Sequence, residues 1–340
     1  MNNMAPLKLL LRYTEKLRRF VLLLILLLVF AGSAGAADNK TIRLGLVAYV
    51  GEATHFHALE KGYFRKQGLK VEATINDSGY QALNRLLNGE YDICTVETTP
   101  IVFHALRHAR SARSFHIISS IFESSRLNSL VAIDRRRTPS IKALQGKRVG
   151  LAIGTSTEFF WYMAAISNGI DPGSVKVVDI AVPQMAGVLT GVDAVVAWPP
   201  YDKQIVESAG KHAKILPTGN IYTTHWLVVA TPEFLTKQPN AAARYLLALK
   251  KAERDLESNP KLVARSQQKQ IGSDPAALLK EYNKLDFDLN LSESVLISLH
   301  QQAEWIRLTR DRSVSIPSFR TYLNTEPLGK INPDAVRLIE

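Results

Sequence analysis

From Thr41 onward, short runs rich in aliphatic residues alternate with helix-length runs, and only a few residues join one to the next. "TIRLGLVAYV" reads as a buried strand and "HFHALEKGYFRKQG" as a helix ending at Gly68. "LKVEATI" is a second strand, followed by "NDSGYQALNRLLNGE", a helix capped by Asp77 or Ser78 and ended at Gly89. "YDICTVE" is a third strand, and "TTPIVFHALRHAR" a helix with Thr99 at its cap and Pro100 at its first position. Strands alternating with helices through short turns build βαβ units, and such units give a parallel sheet with helices on both faces. The chain is therefore expected to be an α/β protein.

The alternation breaks once. "FHIISSIF" and "NSLVAID" are two strand-like runs separated only by "ESSRL", and the polar "RRRTPS" follows. The pattern then restarts with "KRVGLAI", the helix "TEFFWYMAAISNG", the strand "SVKVVDI", a helix through "QMAGVLTG" and the strand "VDAVVAW". This second unit ends near "LPTGN"; "HWLVVAT" reads as a further strand, and from Pro232 onward the text is helical. The asymmetry suggests one lobe made from both ends of the chain with a second lobe inserted between them. No repeat of short fixed period appears, and 340 residues with 46% hydrophobic content suffice for two lobes.

The N-terminus reads as an export signal. Lys8, Arg12, Lys16, Arg18 and Arg19 precede the apolar run Phe20 to Phe30, and Ala34 and Ala36 supply the small residues of a cleavage site. The run is far shorter than the roughly 20 apolar residues that cross a bilayer. Residues 1–36 are expected to be removed after Ala36 or one residue later, leaving a soluble chain outside the cytoplasm. With no cysteine at the cleavage site, it is not expected to be a lipoprotein. Removing this segment lowers the formal net charge from +11 to +7. The basic residues are scattered, and the one tight cluster, Arg135 to Arg137, lacks the interleaved aromatics of a nucleic-acid groove. No nucleic-acid partner is expected. The single cysteine, Cys94, lies in an apolar run and reads as a small buried hydrophobe.

Several strands end in small or polar residues that lead straight into a helix: Gly51 and Glu52, Ser78 and Gly79, Glu97 to Thr99, and Gly154 to Thr157. Open α/β sheets bind ligands outside the carboxyl ends of their strands, and two such rims facing each other would form a cleft. In "TSTE", Thr155 and Glu158 have the spacing of a capping box. That accounts for those two residues without a ligand. Gly154, Ser156 and Thr157 are not required by it, and free amides at a helix start attract anions. Catalytic readings are weaker. His55 with His57, and His104 with His108, have metal-compatible spacing but no third ligand in register. The G-x-S-x-G, G-x-G-x-x-G and G-x-x-x-x-G-K patterns are all absent. Neither a catalytic residue, a bound metal nor a cofactor is expected.

"ALEKGYFRKQGLKVE", "LLNGEYDI", "LQGKRVGLAIGTSTEFF", "GIDPGSVKVVDI", "GVDAVVAWPPY" and "INPDAVRLI" resemble, in that order, the nitrate/sulfonate/taurine-type solute-binding proteins of ABC importers. The resemblance runs from about Thr41 to Glu340 and extends to the thiamine-pyrimidine-binding branch of the same fold. It implies a two-lobed periplasmic-binding-protein fold of type II, with lobe 1 at 38–130 and 224–340 and lobe 2 at 135–223. The crossovers are expected near Leu130 to Asp134 and Thr224 to Val229. It also implies a ligand site at Tyr49, Gly51, Glu52, Ser78, Gly79, Gly154, Thr155, Ser156, Thr157, Trp198 and Tyr201, to which the end of the third strand adds Glu97 and Thr98. The implied protein is a monomer that captures a small polar metabolite and delivers it to a membrane permease with its cytoplasmic ATPase.

Where relatives commonly carry small residues after the third strand, this chain has Glu97, which would oppose a purely anionic ligand such as nitrate. A zwitterion of the taurine kind is the expected ligand, its anionic head on Gly154 to Thr157 and its cationic end on Glu97 across the cleft. Two other readings stand beside this one. One is a periplasmic sensor subunit. The other is an enzyme like the pyrimidine synthases of thiamine biosynthesis, against which the export signal and the single cysteine argue.

Overall fold

The computed structural model describes residues 41–108, 114–133, 140–188 and 190–339. The expected signal at 1–36 and the cluster Arg135 to Arg137 lie outside the described residues. The chain begins with β1 (Ile42–Val47), α1 (Ala53–Glu60), β2 (Val71–Asn76), α2 (Gly79–Leu87), β3 (Ile93–Glu97), α3 (Thr98–Arg107) and β4 (His116–Ser124). There follow β5 (Ser129–Ile133), β6 (Arg148–Leu151), α4 (Ser156–Ser167), β7 (Lys176–Asp179), β8 (Ala194–Ala197), α5 (Tyr201–Ala209) and β9 (Ala213–Leu216). The last part holds β10 (Thr224–Ala230), α6 (Pro239–Ser258), α7 (Pro260–Ile271), α8 (Pro275–Tyr282), β11 (Asp286–Ser292), α9 (Glu293–Thr309) and β12 (Val336–Arg337).

These strands form two sheets. The first has the order β12-β11-β4-β10-β3-β1-β2 and the second β7-β6-β8-β5-β9. In the first, β1 pairs parallel with both β2 and β3; in the second, β6 does the same with β7 and β8. The two sheets share a further device. The strand that arrives from the other sheet, β10 or β5, inserts antiparallel beside the third parallel strand, β3 or β8. Every residue of β3 and of β10 is buried, as expected for central strands covered on both faces.

Because β5 starts at Ser129 and β10 at Thr224, the chain passes between the sheets over 125–128 and 217–223. The described parts of the expected crossovers near Leu130 to Asp134 and Thr224 to Val229 therefore lie inside β5 and β10. Pairing with β8 and β3 extends these apolar runs to their first residues, so each join is shorter or earlier than its sequence suggested. Two further corrections are local. The helix expected to begin at Pro100 starts at Thr98, with Glu97 at the cap position, and the helix expected through "QMAGVLTG" is a 3-10 segment, Val182–Gly187.

Candidate functional site

A cavity of about 40 Å³ lies where the carboxyl ends of the parallel strands converge. Tyr49 reaches it beyond β1, Ser78 to Tyr80 beyond β2, and Glu97 and Pro100 at the end of β3. From the second sheet come Thr155 and Ser156 beyond β6 and Trp198 beyond β8. The first join between the sheets contributes Leu127 and Asn128, and the start of β10, just past the second join, contributes Thr224 and Trp226. Such a volume holds about three waters at the ~10–15 Å³ each requires.

Glu97 is the one charged side chain among the described residues lining the cavity, which include no lysine, arginine or histidine. It is buried, and burial pushes its carboxyl up to about 7 against the pull of hydrogen bonds from Ser156, Tyr222 and Thr224. The Tyr222 hydroxyl donates to Glu97 Oε1 at 2.9 Å. Behind it, Gln302 Nε2 of α9 donates to Thr98 Oγ1 at 2.6 Å, while Thr99 Oγ1 donates to Gln302 Oε1 at 2.6 Å. Thr98 is thus part of the frame that holds Tyr222 against Glu97, and does not line the cavity.

The helix start in the second sheet is organised differently from the expected capping box. Thr155 Oγ1 accepts from the Thr157 amide at 3.4 Å and donates to the Ala152 carbonyl at 2.7 Å. Thr157 Oγ1 in turn accepts from the Ala152 amide at 3.1 Å. Glu158 reaches past Thr155 to the Gly154 amide, 3.1 Å away, and pairs with Arg310 at the end of α9. Gly154, at φ 82°, makes the left-handed turn that this folding-back needs. Thr155 and Thr157 therefore shape the loop. Ser156 lies beside Glu97, whose carboxyl its hydroxyl and amide hold down against burial. The sequence reading set a ligand between this helix start and Glu97; here the carboxylate itself faces the N-terminus of α4, where an anion would sit.

Of the expected site residues, Tyr49, Ser78, Gly79, Glu97, Thr155, Ser156 and Trp198 line the cavity; Gly51, Glu52, Thr98, Gly154, Thr157 and Tyr201 do not. Gly51 is a packing position, because a Cβ there would stand 2.2 Å from the Phe122 ring. Glu52 is fully buried behind the wall. Its Oε1 accepts from Trp226 Nε1 at 3.1 Å and from the Thr95 hydroxyl, and His55 Nδ1 lies 2.9 Å from Oε2 without the alignment of a hydrogen bond. The carboxylate thus orients Trp226, whose ring packs 5.0 Å from that of Tyr49. Tyr201 meets Trp198 edge-on at 6.1 Å. Sequence reasoning missed Tyr80, Asn128, Thr224 and Trp226, among others. Trp226 stands opposite Glu97 in the β10–β3 register, a non-local pairing with no signal in the sequence around either residue.

The histidine pairs bind no common partner. His55 Nε2 meets the Tyr245 hydroxyl at 2.6 Å and His57 Nδ1 meets Ser266 Oγ at 2.7 Å, both inside the helical layer, while the His104 and His108 rings stack at 4.3 Å. Among the described residues no group of three or more histidine, cysteine or acidic residues is placed to hold a metal. Cys94 is buried in β3, and burial raises its thiol well above the ordinary value.

Comparison with known proteins bears on this arrangement. A Brucella abortus protein, whose name proposes a binding role without a ligand, is 24% identical over 304 residues, covering 88% of this chain and 89% of that one. The alkanesulfonate-binding protein SsuA of Xanthomonas axonopodis pv. citri, solved bound to MOPS, superposes with a TM-score of 0.67 at 14% identity, over 89% of this chain and all of that one. The periplasmic nitrate-binding protein NrtA of Synechocystis PCC 6803 superposes with a TM-score of 0.55 at 16% identity, over 70% of this chain and 69% of that one. The two sheets and their mutual strand exchange are those of the periplasmic-binding-protein fold, in agreement with the nitrate/sulfonate-type resemblance. The NMT1-like family model matches residues 35–268, more than half of the sequence, and the chain belongs to that family.

Proposed function

We propose that this chain is the solute-binding component of an ABC importer: exported, monomeric, and closing two lobes over a small polar metabolite that it hands to a permease with its ATPase. The observation that carries the reading is the cavity itself. Strand ends of both sheets line it together with the first join and the start of β10, so a ligand there touches both lobes and the segments beside their connections. Such a ligand favours the closed form by its differential affinity for it. The names of the structural neighbours and of the Brucella relative support a binding role over an enzymatic one. Cys94, buried away from the cavity, offers the enzyme reading no accessible nucleophile.

The carboxylate at the cavity wall favours a ligand with a positive or N–H-bearing end. Among sulfonates this selects amino-sulfonates such as taurine over plain alkanesulfonates, and it disfavours nitrate. A thermal-shift screen of residues 37–340 with taurine, ethanesulfonate, nitrate and aminopyrimidines, followed by calorimetry on each hit, tests the role. One ligand bound at one-to-one stoichiometry is the expected result. A folded protein that binds none of them, or an intact Met1 recovered with membranes, would remove the receptor reading.

A further inference from the structure

The cavity has a chemical polarity opposite to that named for its structural neighbours, one called alkanesulfonate-binding and one nitrate-binding. Three observations define it. First, the described lining residues include a carboxylate and no cationic side chain, and that carboxylate faces Ser156 at the helix start that would otherwise receive an anion. Second, two buried polar atoms on lining residues have no hydrogen-bond partner: Asn128 Oδ1 and the Tyr49 hydroxyl. Asn128 is 9% exposed and Tyr49 4%. Unpaired buried polar groups are costly, so such atoms on residues that line a cavity point to a ligand that completes them when the site rearranges around it. An amide oxygen only accepts and a carboxylate accepts when ionised, while a phenol does either; together they call for a partner rich in N–H groups. Third, four aromatic rings, those of Tyr49, Tyr80, Trp198 and Trp226, belong to the wall, and aromatic faces attract cations.

We propose that the site selects a small organic cation bearing N–H groups, an ammonium or amidinium, held by Glu97, Asn128 Oδ1 and the Tyr49 hydroxyl, and that it rejects ligands whose only charge is negative. The inference rests on the solute-binding reading and gives that site its ligand class. Asn128 has a second consequence. It lies in the first join between the sheets, and its Nδ2 donates at 3.4 Å to Oγ1 of Thr224, the first residue of β10 after the second join. A ligand N–H that bonds to Asn128 Oδ1 therefore fixes a side chain that links the first join to the start of β10, so recognition of the cation and closure of the lobes share a contact.

The test is calorimetric titration of residues 37–340 with a charge series of similar size: acetamidine and ethylammonium as cations, taurine as zwitterion, ethanesulfonate and nitrate as anions. The proposal expects a cation or taurine to bind at least tenfold more tightly than either anion. Glu97→Gln should weaken the cations at least tenfold and leave the anions unchanged or improved. Asn128→Leu should weaken the same ligands, and the near-isosteric Asn128→Asp should strengthen them; circular dichroism and melting establish that each variant is folded. Ethanesulfonate or nitrate binding one-to-one more tightly than every cation would overturn the ligand class and leave the solute-binding reading intact. Absence of binding by all five probes at millimolar concentration to the folded wild-type protein would overturn both.

Discussion

Replacing Glu97 by glutamine removes a group that titrates at different pH in the folded protein and in the unfolded chain. The carboxyl stands near its ordinary value of 4.5 when unfolded and at about 7 when buried in the wall of the cavity. Below the lower value both states hold the proton and Glu97 adds no pH dependence. Between the two values the folded protein keeps a proton that the unfolded chain has lost, so stability falls as pH rises. Above the upper value the loss is complete, at about 3 kcal/mol for a shift of this size. The titratable groups facing Glu97 are the phenols of Tyr49 and Tyr222. Burial and then Glu97 itself push both well above their ordinary value, so they remain protonated throughout and do not blur the effect. Urea unfolding of ligand-free wild type and Glu97→Gln across this range isolates the contribution, because all other titrating groups are common to both. The stability of the wild type relative to the variant should decline by about 3 kcal/mol between about pH 4.5 and 7.5. Parallel curves would refute the reasoning and show that the Ser156 and Tyr222 hydrogen bonds fully offset burial.

Gly51→Ala should destabilise the protein by about 1–3 kcal/mol through overpacking, since the new Cβ meets the Phe122 ring, as thermal or urea unfolding would register. Trp226→Phe keeps an aromatic wall but removes the donor to buried Glu52, at a cost of about 2 kcal/mol by urea unfolding. Two ion pairs join the part of the chain between the two joins to the part that follows them, Glu158 of α4 to Arg310 just past α9 and Lys203 of α5 to Glu281 of α8. The double substitution Arg310→Met with Lys203→Met should shift the ligand-free population toward an open form, read as faster hydrogen exchange at 154–158 with little change in global unfolding.

The strand and helix alternation was legible because each parallel strand carries its own apolar run and some of the following helices their own cap, as with Ser78, which accepts from the Gln81 amide. Three strands were not. β11, "DFDLNLS", alternates polar and apolar residues cleanly, yet lies between helical runs whose composition governed the reading of that region. β9 has four residues and β12 two, too few for a period to show. At the site, the rule that ligands bind beyond strand ends pointed to Ser78, Gly79, Glu97, Thr155 and Ser156, and the family resemblance to Tyr49 and Trp198; all seven line the cavity. Asn128 and Trp226 could not be found in this way, since their place follows from how β5 and β10 pair across the molecule. The expectation that Gly154 to Thr157 act together failed for a related reason. Sequence gives the spacing of hydroxyls but not which of them the loop uses to hold its own backbone, and here Thr155 and Thr157 do so while Ser156 meets Glu97.

The central claim is that two lobes close over a ligand, and small-angle X-ray scattering of residues 37–340 tests it most directly. With the tightest ligand of the charge series at saturation, the scattering should match a curve calculated from the structure described, whose cavity is only about 40 Å³. Without ligand the radius of gyration should be larger and the fit worse. Indistinguishable curves in the two conditions, for a ligand whose one-to-one binding calorimetry has established, would contradict closure as the basis of recognition.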